Sequence, residues 1–199
     1  MLNVVIFGAP GSGKGTQSER LIDRYGLFHI STGDVLRDHI ARGTDLGKVA
    51  DSYISKGNLI PDDLMLQVLE KTLDDNPEAT AKGVIFDGFP RTIPQAEALQ
   101  KMMQRRGSDI HTVIGLEVPE DELVERLINR GKVSGRSDDN PDAIKTRLKV
   151  YHNNTQPLKQ FYTERGAYHG INGSGDVDQI FKGISDHVDS LSKQPTSHS

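Results

Sequence analysis

The chain has 199 residues, of which 26% are charged, 6% aromatic and none cysteine, with a formal net charge of −4. That length suits one compact domain with small inserts, and the acidic balance argues against a generic nucleic-acid binder. Without cysteine there are no disulfides, no thiolate chemistry and no cysteine-bound metals.

The first apolar run, Leu2–Phe7, reads as a strand buried on both faces. It is too short for a signal-peptide core, and no run in the chain approaches the ~20 residues of a membrane span. The cytoplasm is therefore the expected compartment, with no membrane partner. Residues 8 to 17 follow as GAPGSGKGTQ. This matches the phosphate-binding loop G-x-x-x-x-G-K-[ST], except that Gly15 stands where the hydroxyl belongs and Thr16 comes one place later. Glycines let backbone N–H groups converge on an anion, the following helix adds its positive end, and Lys14 supplies a point charge. That helix is expected to stop at Gly26.

Phe28–Ile30 is a second strand, and Ser31, Thr32 and Asp34 offer caps for a helix through Val35, Leu36 and Ile40. Gly43, Gly47 and Gly57 are read as breaks that divide this region into short helical pieces. Pro61-Asp62-Asp63 starts a helix with Met65, Leu66, Leu69 and Leu73 on one side. Val84–Phe86 is a third strand ending at Asp87, in the segment DGFPR, where Gly88 and Pro90 set a sharp turn that aims Arg91 back over the strand ends. Phe89-Pro90 is a candidate cis peptide bond.

A helix is predicted over Pro94–Arg106, a fourth strand over Thr112–Val118 and a helix from about Glu120. Residues 131 to 141, GKVSGRSDDNP, read as a short polar loop. A long helix over Pro141–Glu164, a fifth strand near Ala167–Ile171, a last helix over Asp176–Leu191 and a disordered tail complete the chain.

Strands alternating with helices predict an α/β fold, a parallel five-stranded sheet with helices on both faces. Ligands of such sheets bind beyond the carboxyl ends of the strands, so the Gly8 loop, Ser31–Asp34 and Asp87-Gly88 should meet at one crevice. Lys14, Arg37, Arg91, Arg126, Arg130, Arg136 and Arg147 give seven cations for two phosphorylated substrates. A carboxylate such as Asp87, closing a central strand, is where phosphate-loop proteins organise Mg²⁺. For any one arginine alone a surface ion pair is the better reading, for instance Arg126 with Glu122; as a set beside a phosphate loop they favour function.

Taken together, GAPGSGKGTQ, ISTGDVLR, GNLIPDD, DGFPRTIPQAEAL and GRSDDNP resemble adenylate kinase over residues 1 to about 190. In that family the loop itself reads G-x-P-G-x-G-K-G-T, so Gly15-Thr16 fits the family pattern. The resemblance implies a P-loop kinase fold and reversible transfer of the γ-phosphoryl group of MgATP to AMP, giving two ADP. It implies ATP binding by Gly11, Ser12, Gly13, Lys14, Gly15, Thr16, Arg126 and Arg130, with Gly175 beside the base where some relatives carry a lysine.

It implies AMP binding by Thr32, Arg37, Asn58, Leu59, Ile60, Gly88, Phe89, Pro90, Arg91 and Gln95, with Arg136 and Arg147 clamping the phosphates. The catalytic set is Lys14, Asp87, Arg91, Arg126, Arg130, Arg136 and Arg147, with Mg²⁺ held through water near Thr16 and Asp87. Asp138 and Asp139 match lid salt-bridge positions. The implied division is a core of 1–31, 62–128 and 140–192, a helical AMP-binding insert at 32–61, a short lid at 129–139 and a tail at 193–199. The short lid lacks the zinc knuckle of long-lid relatives, and a monomer is the family expectation. A UMP/CMP kinase of the same plan is the alternative; Thr32 and Gln95 favour adenine over it. A P-loop switch without turnover is the rival of another class, and the extra arginines argue against it.

Overall fold

A computed structural model describes residues 1–134 and 140–193, with side chains for 1–131 and 140–191. Five apolar segments form strands: β1 (Leu2–Gly8), β2 (Phe28–Ser31), β3 (Gly83–Asp87), β4 (Thr112–Glu117) and β5 (Tyr168–Asn172). All pair in parallel, in the order β2-β3-β1-β4-β5. β1 is central, which explains its unbroken apolar run: both of its faces are covered.

The period of two along each strand sorts the side chains between faces. Val5, Phe7, Val84, Phe86 and Val113 join one core cluster, while Val4, Ile6, Ile85, Ile114 and Leu116 join another. The first cluster is closed by α4 (Asp62–Asp75), α5 (Ile93–Arg105) and α7 (Pro141–Glu164) through Leu69, Leu73, Leu99, Met102, Leu158 and Phe161. The second is closed by α1 (Lys14–Tyr25) and α8 (Val177–Lys193) through Leu21, Ile180, Ile184 and Val188. Each such side chain, fully buried, contributes about 1.5–3 kcal/mol of apolar transfer. A smaller cluster of Ala9, Leu123, Leu127, Ile144 and Leu148 wedges α6 (Glu120–Ser134) and α7 beneath the loop that follows β1. Among the described residues no helix is long and apolar enough to cross a membrane.

Polar caps set where the helices begin. Asn140 Oδ1 accepts from Ala143 N at 2.8 Å ahead of Pro141, and Thr92 Oγ1 accepts from Gln95 N at 3.2 Å ahead of Pro94. The Phe89–Pro90 peptide bond is cis.

Two local readings are corrected. The stretch beginning at Gly131 is not loop from its start, because α6 runs on to Ser134. Nor does Gly47 break the chain. It lies in the first turn of α3 (Asp45–Ser55), which packs on α2 (Thr32–Arg42). A Cβ at Gly47 would stand 2.1 Å from the His39 carbonyl oxygen, so this glycine serves the close approach of two helices.

Candidate active site

A cavity of about 600 Å³ opens at the carboxyl ends of β1 and β3. Its lining contains all of Gly8–Thr16, together with Gly88, Pro90, Arg91, Arg130, Tyr151, Asn154, Thr155 and Leu158. The loop turns through Gly11 and Gly13, whose φ angles of 84° and 88° are left-handed and open to glycine at little cost. Gly13 is the N-cap of α1, so the first N–H groups of that helix and its positive end face the cavity beside Lys14. Ser12 Oγ is buried inside the loop without a hydrogen-bond partner among the described residues. Thr16 lies on the first turn of α1 and lines the cavity.

At the floor, Lys14 Nζ is 2.7 Å from Asp87 Oδ1. The other carboxylate oxygen, Oδ2, is 3.1 Å from Nε2 of His29. The His29 hydrogen bond first, then Lys14, holds the Asp87 carboxyl at about 2, against burial that pushes it up. The same contact raises His29 above the ordinary histidine value, opposed by partial burial. β2 and β3 are in register with Ser31 opposite Asp87, which brings the end of β2 to the same crevice.

Of the other sequence-predicted residues, Gly88, Pro90, Arg91 and Arg130 line the cavity, whereas Thr32, Arg37, Asn58–Ile60, Phe89, Gln95, Arg126, Arg147 and Gly175 do not. Arg91 is anchored by its own turn: its Nε donates to Gly88 O at 2.8 Å, and its backbone N donates to Gln95 Oε1 at 2.8 Å. Gln95 Nε2 donates onward to Asp62 Oδ1 at 2.7 Å, so the amide ties α5 to α4. Phe89 is only 2% exposed and packs in the core. Thr32 and Arg37 sit on α2, where Arg37 pairs with Asp34. Asn58, Leu59 and Ile60 follow α3; Leu59 is 93% exposed, whereas Ile60 packs on the main core.

Arg126 turns toward the back of the loop. It donates to Gly11 O and Gly173 O at 3.1 Å each and to Glu122 Oε1 at 2.7 Å, the intrahelical pairing that its spacing allowed. Ser174 Oγ donates to the other Glu122 oxygen at 2.6 Å. Arg126 thereby joins α6, the phosphate loop and the loop before α8 that carries Gly175. Arg147 is on α7, one turn before Tyr151. Arg136, Asp138 and Asp139 lie outside the described residues, as do 194–199 of the tail.

Motif reading passes over His29 and the α7 group. Both carried a signal. His29 is two residues before Ser31, on the same side of a strand. Tyr151, Asn154, Thr155 and Leu158 follow Arg147 at helical spacing.

No group of three or more His, Asp or Glu forms a metal cage among the described residues. The donors at the crevice are the hard oxygens of Asp87 and Thr16. That set fits Mg²⁺, which takes one or two protein oxygens and completes its octahedron with water and substrate phosphates.

The adenylate kinase family model matches residues 6–167. An adenylate kinase of Bacteroides fragilis is 59% identical over 191 residues, covering 96% of this chain and 100% of the relative. One from Bacteroides thetaiotaomicron is also 59% identical with the same coverage, and one from Porphyromonas gingivalis is 52% identical over 193 residues, 97% of this chain and 98% of the relative. A loop built for phosphates, an ion-paired lysine at its base and this likeness over nearly the whole length converge: the chain belongs to the adenylate kinase family.

Proposed function

We propose that the residues around this cavity carry out reversible phosphoryl transfer from ATP to AMP. One observation carries the assignment: Lys14, which lines a cavity with Arg91 and Arg130, is held at 2.7 Å from Asp87. In the reaction an AMP phosphate oxygen forms a bond to the γ-phosphorus as the bond to the β–γ bridging oxygen breaks, and two ADP leave. The acceptor oxygen is already ionised at neutral pH, so no general base is needed. Stabilising charge on the transferring group is the main task, and cations do it.

Gly11–Thr16 hold the ATP phosphates, with Lys14 following the transferred group and Arg130 on the ATP side. Arg126 keeps the loop and the Gly175 segment in register for the ATP base. Thr32, Arg37, Asn58–Ile60, Gly88–Arg91 and Gln95 form the AMP side, and Arg136 with Arg147 closes over the phosphates. Mg²⁺, held through water near Thr16 and Asp87, supplies further charge neutralisation when bound. A low carboxyl pKa suits Asp87 to that role, since it stays ionised throughout the physiological range. Residues 32–61 and 129–139 act as the two closing segments that exclude water. The enzyme works as a cytoplasmic monomer, without zinc and without a nucleic-acid partner.

The test is ADP formation from MgATP with AMP, CMP, UMP and GMP in parallel. AMP is expected to be turned over fastest by at least about tenfold, a difference of 1.4 kcal/mol in transition-state binding. Faster turnover of CMP or UMP would remove the adenine assignment.

A further inference from the structure

His39 takes no part in the cavity, yet it is 0% exposed and both of its ring nitrogens are engaged. It lies in the last turn of α2. Nδ1 is 2.9 Å from Oγ1 of Thr44, the N-cap of α3, and Nε2 is 3.2 Å from Oγ1 of Thr72 on α4. The threonines fix the tautomer. Thr72 spends its hydroxyl proton on Val68 O at 2.8 Å, so it must accept from Nε2–H. Nδ1 is then the acceptor and takes the Thr44 proton, while Thr44 Oγ1 accepts from Gly47 N at 3.0 Å. The bonds run head to tail from α3 through one ring of α2 into α4, an arrangement in which each strengthens the next.

Among the described residues this ring supplies the side-chain hydrogen bond that joins α2 and α3 to the rest of the molecule. The other support is apolar, through Val35, Ala50, Leu46 and Tyr53. Apolar packing sets a helix crossing angle only to within about 15–20°, so it leaves some freedom of rotation and tilt. A directional hydrogen bond narrows that freedom. Arg37 is two residues from His39, about 200° around the helix. Holding the His39 ring inward therefore holds Arg37 outward, and the same pin steadies α3 and the 58–60 segment that follows it.

We infer that His39 is a positioning residue for the acceptor nucleotide: the Thr44–His39–Thr72 relay pins the 32–61 arm at one angle on α4, so that its AMP-side groups are presented together. This rests on the assignment of Thr32, Arg37 and 58–60 to AMP.

The experiment compares His39→Leu, Thr72→Val, the double variant and Thr72→Ser. Leucine keeps most of the ring's volume, and the freed Thr44 hydroxyl can turn its proton to the residue-39 carbonyl, 3.3 Å away, so the fold is spared. His39→Leu and Thr72→Val should each raise KM for AMP about tenfold, the worth of one hydrogen bond, while KM for ATP stays within about twofold. The double variant should be no worse than the poorer single one, because both break the same tie. Thr72→Ser, which keeps the hydroxyl, should behave as the unaltered enzyme.

Amide hydrogen exchange without nucleotide gives a second readout, independent of which monophosphate is the acceptor. Exchange in α2 and α3 of Thr72→Val should quicken while that of β1 and β3 does not. Unchanged KM for AMP, equal rises for AMP and ATP, Thr72→Ser matching Thr72→Val, or uniform quickening of exchange would each overturn the relay. Failure of the unaltered enzyme to use AMP would instead overturn the functional assignment beneath it.

Discussion

Arg91 and Arg130 are exposed side chains that line one cavity, and neither holds the core together. Replacing either with alanine should lower kcat by about 10²–10³, the usual cost of removing one group that stabilises transition-state charge. The thermal midpoint should barely move, because exposed charges contribute little to stability. Steady-state rates beside a melting curve check this, and near-normal turnover in both variants would dismiss the charge clamp. The arginines were legible in the sequence because they flank a recognisable loop. His29 was harder to see: its spacing from Ser31 gave the side of the strand, but its meeting with Asp87 across two strands is set by sheet order. Gln95 shows the opposite difficulty. A motif suggests what an amide reads, but only packing shows that this one already bridges Arg91 and Asp62.

At the scale of elements, α2 and α3 cross closely at Gly47. Alanine there is the better helix former by up to about 1 kcal/mol. Its methyl would nonetheless sit 2.1 Å from backbone, which cannot give way as a flexible side chain can. Gly47→Ala should therefore destabilise the protein by about 1–3 kcal/mol net, or several degrees in thermal midpoint. A midpoint equal to or above that of the unaltered chain would show that the helices separate freely. The elements themselves were readable from apolar periodicity, caps and glycine stops, and the strands fall within a residue or so of their predicted positions. The two misplacements share a cause. Gly47 and the 131–134 stretch carry loop-like composition, but neighbouring helices outweigh local propensity: α2 demands the small residue, and α6 simply continues.

For the molecule as a whole, four histidines respond to pH in opposite senses. Burial lowers His39, His111 and His187, and the stacked ring of His169 lowers His187 further. Unfolding frees these three to take up protons at the ordinary value of about 6.5, so their contribution is intact above that pH and is lost as pH falls through their folded values. His29, raised by Asp87, acts the other way; its contribution is present below about 6.5 and fades as pH rises through its folded value. Below about pH 6.5 the three lowered histidines dominate, so the denaturant midpoint should fall between about pH 6.5 and 5. His187→Gln, which can keep a bond to Thr112, should fall less steeply. A midpoint that rises toward pH 5 would contradict the balance. The sheet order has a consequence during synthesis. β1 leaves the ribosome first, yet both of its partner strands begin only at Gly83 and Thr112. At about 5–20 residues per second, this apolar strand waits roughly four to fifteen seconds with both edges bare before β3 arrives. The rate of translation, rather than the stability of the finished enzyme, sets how long it is open to another chain.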